Sequence, residues 1–418
     1  MMPVLVLQGA RFGDLVQSKR LLLTLKNRGE THLAVDKSLL PLARLIYPGI
    51  EPHGLNLHGR PNWRALEENR KCLALWRGLN FQAVYNCNFS PLTAALCRHF
   101  EPERVIGCRP SASGVLRSPW VRTAFRLSEK RPLTPLNLED FWAYFAAEPL
   151  PADKVNPCPT PGGRGLGVAL AGREARRSLP VPLLAEIVRC IFHALDGPRI
   201  RLFGTKTEQP TARKLMRLLS PKMLERTEDL CGKTDWAGLI EALEGLDMLL
   251  TPDTGTMHLG AHLGVPVLAF FLSSALCHET GPYGQGHHVF QAACRCAPCL
   301  ESTPCRADLV CLTALRSRKF LSFLASFVEG KAYDEKPFPK DLQFWKSGLD
   351  GFGAHFQLCA GEDGYARQRG FLRRHLGGLS PLPLTACPQG GIPNVPSSEM
   401  LAWLYQDADW MLPPERYC

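Results

Sequence analysis

A run of small polar residues at positions 253–258 carries the densest chemistry in the sequence. It reads Asp-Thr-Gly-Thr-Met-His and follows the mostly apolar stretch from Asp247 to Leu250, which we predict to be a buried strand. Apolar residues at helical spacing then run from Met257 to Leu263. This pattern predicts a strand that ends in a turn, with a helix beginning directly after it.

The start of such a helix suits a diphosphate. Its first N–H groups have no partner within the helix and carry partial positive charge. Gly255 allows a ligand to approach the backbone closely, Thr254 and Thr256 can add hydroxyl donors, and His258 can face the same pocket. The alternative is that Asp253 or Thr254 only caps the helix and no ligand binds there.

A second turn of interest lies near the beginning of the chain. The apolar run from Val4 to Leu7 is followed by residues 9–14, which read Gly-Ala-Arg-Phe-Gly-Asp, and helical spacing of leucines begins at Leu15. We predict a strand, a glycine-rich turn and a helix. The carboxylate of Asp14 at this turn could act as a general base toward an acceptor hydroxyl, or it could simply cap the helix.

Several segments, taken in order, resemble glycosyltransferase family 9, the ADP-heptose:lipopolysaccharide heptosyltransferases. The resemblance covers roughly residues 3–315 and is most specific in the Asp-Thr-Gly-x-x-His block. The matching segments are residues 9–16, Arg177-Ser178-Leu179-Pro180 against the family's Lys-Arg-Trp-Pro, Gly204 with Glu208, Leu230-Cys231-Gly232-Lys233-Thr234, residues 253–266, and Gly281-Pro282-Tyr283-Gly284.

The resemblance implies a GT-B fold and an inverting transfer from an ADP-sugar held by the second domain, with no further cofactor. It makes Asp14 the general base. It assigns donor binding to Arg177, Ser178, Glu208, Asp253, Thr254, Gly255, Thr256 and His258. Arg177 replaces a phosphate-binding lysine, and Ser178 replaces the arginine after it, a loss for which Arg173 and Arg176 could compensate. No acceptor-binding residue is identified.

Two other functions stay open at this point. One is a GT-B protein that binds a nucleotide or glycan without turnover. The departures from the family's sequence at Arg177 and Ser178 leave this function open. The other is an NAD-dependent Rossmann enzyme, but the segment from Gly9 to Gly13 does not follow the G-x-G-x-x-G pattern and no hydride-transfer partner stands out.

A metal is not expected at the reaction centre. The triplet Asp407-Ala408-Asp409 lies outside both predicted halves and lacks the ligands that a metal site needs, so we interpret it as surface. A structural zinc bound by Cys296, Cys299, Cys305 and Cys311 is conceivable but not favoured, because the spacing is looser than a paired Cys-x-x-Cys.

Short strands and helices alternate along the chain. This alternation predicts parallel sheets that are covered by helices on both faces and that position the residues named above. We predict an α/β GT-B fold of two doubly wound, Rossmann-like domains facing a cleft. Residues 1–150 form the acceptor-binding domain, 151–164 a Pro/Gly-rich linker, 165–330 the nucleotide-sugar-binding domain, and 331–418 a C-terminal extension.

Composition sets the remaining limits. The 418 residues include 49 Lys and Arg against 39 Asp and Glu, a net charge of +10 that favours an anionic partner. We find no dense basic block of the kind that binds nucleic acid, no signal peptide and no transmembrane run. We therefore expect a cytoplasmic enzyme whose acceptor is a saccharide or glycolipid, with a peripheral contact at the inner membrane if the acceptor is lipid-linked.

Overall fold

The computed structural model describes residues 3–362, with gaps at 59–61, 112–113, 130, 132–135, 171–174, 300–303 and 334–336. Arg173, the triplet at 407–409 and most of the predicted extension lie outside the described residues. The described chain divides into two compact units, the first ending at Pro151 and the second beginning at Ala152.

The first unit is built on a six-stranded sheet. Its order is β3-β2-β1-β4-β5-β6, parallel except for β6, which pairs antiparallel with β5. The strands are β1 (Val4–Gln8), β2 (Thr31–Asp36), β3 (Glu51–Leu55), β4 (Ala83–Asn86), β5 (Val105–Ser111) and β6 (Gly114–Arg117). The neighbouring strands β1 and β2 are buried throughout, as their apolar residues favour.

Helices connect these strands, and apolar side chains between one helix layer and the sheet form a core. The helices are α1 (Phe12–Val16), α2 (Lys19–Lys26), α3 (Leu40–Ile46), α4 (Trp63–Leu79), α5 (Pro91–Leu96), α6 (Pro119–Glu129) and α7 (Leu138–Ala143). Leu5 and Leu7 of β1 pack with Trp76 and Phe81 in one buried cluster. The buried ion pair between Arg20 and Asp140, 2.6 Å long, joins α2 to α7.

The second unit contains an eight-stranded sheet in the order β14-β13-β12-β11-β10-β7-β8-β9. Six strands are parallel, and β13 and β14 form an antiparallel hairpin at one edge. The strands are β7 (Leu166–Ala169), β8 (Ile200–Phe203), β9 (Thr227–Asp229), β10 (Met248–Pro252), β11 (Val267–Phe271), β12 (His288–Ala292), β13 (Leu342–Leu349) and β14 (Ala354–Ala360).

The helices of the second unit again pack against the sheet. They are α8 (Val181–Ala194), α9 (Gln209–Met216), α10 (Pro221–Leu224), α11 (Trp236–Leu243), α12 (Gly255–His262), α13 (Cys277–Thr280) and α14 (Arg318–Val328). Stacked and edge-on rings of Phe270, Phe290, Phe320 and Phe344 join three strands to α14. None of the described helices in either unit combines the length and apolarity needed to cross a bilayer.

Both sheets confirm the predicted doubly wound α/β class. When the strands of each unit are numbered in chain order, both have the arrangement 3-2-1-4-5-6 of Rossmann-like sheets, with a hairpin added in the second. The order reverses between β1 and β4 and again between β7 and β10. Ligands bind beyond the carboxyl ends of the strands at such a switch point.

Two of the predicted boundaries differ from the structure. The predicted linker packs within the second unit, where the Asn156 amide donates to the Tyr283 carbonyl at 2.8 Å and the Thr160 N–H donates to the Gly264 carbonyl at 3.0 Å. The second sheet also continues past residue 330, because β13 pairs with β12 and buries Phe344 and Trp345. The other domain limits stay predictions.

Candidate functional site

Two predicted donor-binding side chains meet at the switch point of the second unit. Arg177 ends a short 3-10 turn after β7, and Asp253 follows β10, which lies beside β7. The Arg177 guanidinium donates through Nη2 to Asp253 Oδ2, and the Thr280 hydroxyl donates to the same oxygen at 2.9 Å. The side chains of Arg177 and Asp253 are 13% and 5% exposed, so this is a largely buried ion pair.

The helix after Asp253 begins as the sequence predicts. Thr254 is the N-cap of α12, with its hydroxyl accepting from the Met257 N–H at 3.3 Å. Within the described chain, the N–H groups of Gly255 and Thr256 have no partner, and both residues are half-buried. The first turn of α12 therefore presents two N–H donors where a diphosphate could bind. The Thr254 hydroxyl also lies 3.1 Å from the Thr251 hydroxyl, and its contact with the donor stays a prediction.

Loss of this cap should have a measurable effect on stability. We expect Thr254→Ala to lower the free energy of unfolding by about 1 kcal/mol, because the Met257 N–H loses its acceptor. Thr254→Ser keeps the hydroxyl and should stay close to wild type. Urea unfolding of the two variants checks this, and equal losses in both would show that the methyl group rather than the cap matters.

His258 lies one turn into α12 and is almost fully buried. Its Nε2 is 3.8 Å from Asp253 Oδ1. Burial, and secondly the positive charge of Arg177, lowers the pKa of His258 to about 3. The ring is therefore neutral at pH 7 and supplies no positive charge to a phosphate. Its contact with the donor stays a prediction.

Buried neutral histidines should make the fold sensitive to acid. The pKa of His287 is also lowered to about 3, by burial and then by His288. Between an unfolded-chain pKa of about 6.5 and these values, the unfolded state binds more protons, so stability falls as the pH falls. We expect each of His258 and His287 to remove about 2 kcal/mol between pH 7 and pH 5.

Chemical unfolding at the two pH values measures this effect. His287→Gln should show a smaller loss than wild type, whatever its absolute stability, because glutamine does not titrate. An identical loss in His287→Gln would mean that this imidazole is not the proton-binding group.

Glu208 lies in the turn after β8, the strand beside β7. Its carboxylate accepts from the Thr205 N–H at 2.7 Å, the Thr205 hydroxyl at 2.6 Å and the Thr207 hydroxyl at 2.7 Å. Burial alone raises its pKa, but these hydrogen bonds hold the pKa below the usual value. Glu208 is thus an ionised acceptor at the carboxyl edge of the sheet. Ser178 lies half-buried directly after Arg177.

Asp14 lies in the first unit, in the third position of α1 beyond β1. Its Oδ2 accepts from the Arg11 N–H at 3.1 Å, so it closes the turn, and it is half-buried rather than enclosed. Asn88, which the sequence analysis did not identify, holds the same turn. Its Oδ1 accepts from the Gly9 N–H at 3.0 Å and its Nδ2 donates to the Leu7 carbonyl at 2.8 Å.

The signal for Asn88 in the sequence is its place two residues after the short apolar run of β4. It follows β4, which pairs with β1, so the two polar turns share the switch point of this sheet. Thr280 was missed for a different reason. It is 27 residues from Asp253 and reaches it only through the placement of α13 beyond β11.

Five described cysteines lie in the segment from Cys294 to Cys311. None of these five forms a disulfide; the sulfurs of Cys294 and Cys296 are 3.7 Å apart, and the Cys299 sulfur lies 3.1 Å from the Ser273 hydroxyl oxygen. Among the residues that the structure describes, no three His, Cys, Asp or Glu side chains group as metal ligands. The four cysteines considered as zinc ligands, Cys296, Cys299, Cys305 and Cys311, are among these described residues.

The second unit matches a known protein family in sequence. The model of glycosyltransferase family 9 (heptosyltransferase) matches residues 192–309. The chain is similar to the solved ADP-heptose LPS heptosyltransferase II of E. coli, at 17% identity and a TM-score of 0.50, over 67% of this chain and 88% of that one. It is also similar to E. coli heptosyltransferase WaaC with ADP, at 16% identity and a TM-score of 0.52, over 68% and 91%.

A third similar structure is the family 9 glycosyl transferase of Veillonella parvula, at 15% identity and a TM-score of 0.54, over 78% of this chain and 94% of that one. No curated protein matches the sequence. The solved structures confirm the GT-B fold, and the family match includes the Asp253–His258 turn. Residues 192–309 therefore match glycosyltransferase family 9 in sequence, and the chain shares the fold of solved heptosyltransferases.

Proposed function

We propose that the chain transfers heptose from an ADP-activated donor to a saccharide of the lipopolysaccharide core or a related acceptor, with inversion at the anomeric carbon. The observation that carries the proposal is the position of Arg177 beside the open first turn of α12 at the β7/β10 switch point. Two of the similar proteins, an ADP-heptose LPS heptosyltransferase and a heptosyltransferase with ADP, support the choice of donor.

The donor diphosphate would accept from the Gly255 and Thr256 N–H groups and take its positive partner from Arg177. A carboxylate repels a diphosphate, so Asp253 acts here mainly by orienting Arg177, together with Thr280. The charged carboxylate of Glu208 would accept from ribose hydroxyls. Ser178, Thr254 and His258 would complete the walls of the donor site.

The transfer needs a base and a stabilised leaving group. Asp14 would take the proton of the acceptor hydroxyl while that oxygen attacks the anomeric carbon on the face opposite the diphosphate. The bond from the anomeric carbon to the diphosphate oxygen breaks, and ADP leaves with the electron pair. Arg177 and the two N–H groups are already in place in the ground state. They would stabilise the negative charge that grows on the diphosphate as the bond breaks.

Calorimetry with ADP-, GDP- and UDP-sugars tests the donor. We expect binding of ADP-heptose, weaker binding of the GDP- and UDP-sugars, and release of ADP when a core saccharide is added. ADP-glucose serves as the matched control for the sugar. Tight binding with no ADP release under any condition would favour the non-catalytic alternative, and no binding of any nucleotide-sugar would overturn the proposal.

The acceptor is proposed to be a lipid-linked saccharide presented at the inner leaflet. The supporting observation is the net positive charge of the chain, which suits an anionic surface. Activity on a free core saccharide that exceeds activity on its lipid-linked form would contradict this choice.

A further inference from the structure

We propose that the exposed face of α4 docks the first unit on an anionic lipid bilayer. This face, called the α4 face below, consists of Trp63, Leu66, Arg70, Lys71 and Arg77. The inference rests on the proposed function in one respect only, the expectation that the acceptor is lipid-linked.

Positive charge is concentrated in the first unit. Up to Pro151 the sequence has 20 Lys and Arg against 12 Asp and Glu, whereas the residues after it have 29 against 27. The first 151 residues therefore contribute +8 of the net charge of +10. An anionic membrane surface attracts such a unit, by about 1 kcal/mol for each basic residue close to the lipid.

Exposed apolar side chains are concentrated in the same unit. Seven of the ten large hydrophobic side chains that are exposed in the described chain lie there: Leu45, Trp63, Leu66, Leu75, Leu92, Val115 and Leu116. Trp63 is the most exposed of them at 83%, and Leu66, three residues further along α4, is 53% exposed. Two such neighbours on a helix surface are unusual for a face that meets only water.

The α4 face combines these apolar side chains with basic ones. The side chain of Arg70 is 73% exposed and pairs with Glu67, while Lys71 and Arg77 are exposed and form no ion pair within the described chain. The opposite side of the helix is anchored by Trp76, which is 1% exposed. A helix with Trp and Leu beside Lys and Arg is typical of segments that lie in the interface of a bilayer.

The position of α4 places the proposed membrane contact near the turn that holds Asp14. The helix follows β3, and the loop between them touches the turn that holds Asp14: Leu57 packs against Gly9, and the His58 ring lies 3.5 Å from the Ala10 carbonyl. The first turn of α4 therefore lies on the side of the sheet where β1 ends. A bilayer at Trp63 would meet the edge of the unit that carries the proposed base.

A bilayer fits the α4 face better than a nucleic acid. Base stacking would use Trp63 but gives no role to Leu66, whereas an apolar interface buries both. Binding of a nucleic acid in preference to lipid is accordingly an outcome of the test that overturns the proposal.

Flotation of the full chain with vesicles provides the test. We expect binding to phosphatidylcholine vesicles that contain phosphatidylglycerol, and little binding to phosphatidylcholine alone or at high salt. Trp63→Ser with Leu66→Ser should weaken binding by about tenfold or more. Lys71→Glu with Arg77→Glu should weaken it to a similar extent. The matched control is Leu218→Ser with Leu224→Ser, two exposed leucines of the second unit, which should bind as wild type does.

Lipids with brominated acyl chains report on the indole directly. They should quench the fluorescence of wild type more than that of Trp63→Phe. No binding of wild type to anionic vesicles, equal losses in the control and α4 variants, or tighter binding to single-stranded RNA than to vesicles would each overturn the proposal.

Binding and hydrolysis of the ADP-sugar separate this proposal from the proposed function. The α4 variants should retain both at wild-type level. Vesicle binding without any donor binding would overturn the proposed function but support the membrane contact of the α4 face. Donor binding without vesicle binding would overturn the membrane contact but not the proposed function.

Discussion

Asp14→Asn is expected to lower kcat by about 10²–10⁴-fold and to leave the affinity for the ADP-sugar donor unchanged. Asparagine retains an oxygen that accepts from the Arg11 N–H, the 3.1 Å bond that closes the turn, but it cannot take a proton from an acceptor hydroxyl. ADP release in the presence of acceptor measures the rate, and calorimetry measures the donor affinity.

Asp14→Glu is the matched comparison, because it retains a base and displaces it by one methylene group. We expect its kcat to lie between those of wild type and Asp14→Asn. The free energy of unfolding of Asp14→Asn should stay within about 0.5 kcal/mol of wild type. Wild-type kcat in Asp14→Asn would show that another group takes the proton, and a large loss of stability would show that the carboxylate mainly holds the turn.

The local part of the donor site could be predicted from sequence. A buried strand, a Gly-containing turn and helical spacing are contiguous, so a helix was predicted at Met257–Leu263 where the structure has α12 at Gly255–His262. The Arg177–Asp253 pair could not be derived from these patterns, because its partners are 76 residues apart. It depends on β7 lying beside β10, which only the family resemblance implied.

Two elements escaped prediction for physical reasons. In α4 only Trp76 is fully buried while Trp63 and Leu66 face outward, so the apolar residues do not mark a single core-facing stripe. In β13 the residues from Leu342 to Trp345 are all buried, on both faces of the sheet. The alternation of apolar and polar residues that marks a half-buried strand is therefore absent. The pattern after residue 330 therefore gave no sign that the sheet continues.

Arg177→Ala is the second variant with a large expected effect. We expect it to weaken donor binding by about 1.5–3 kcal/mol, the usual value for a hydrogen bond to a charged group. We also expect a loss of about 3 kcal/mol in the free energy of unfolding, because Asp253, with 5% of its side chain exposed, then keeps a buried charge without its partner. Calorimetry with ADP and chemical unfolding measure the two effects separately.

Adding Asp253→Asn to Arg177→Ala should separate the two roles of the arginine. The neutral amide removes the unpaired charge and can still accept from the Thr280 hydroxyl, which is 2.9 Å from the carboxylate, so most of the lost stability should return. Donor affinity should not return, since it depends on the missing cation. If the double variant regained donor binding as well, Arg177 would act only through the fold; if Arg177→Ala bound ADP as wild type does, the diphosphate would be held elsewhere.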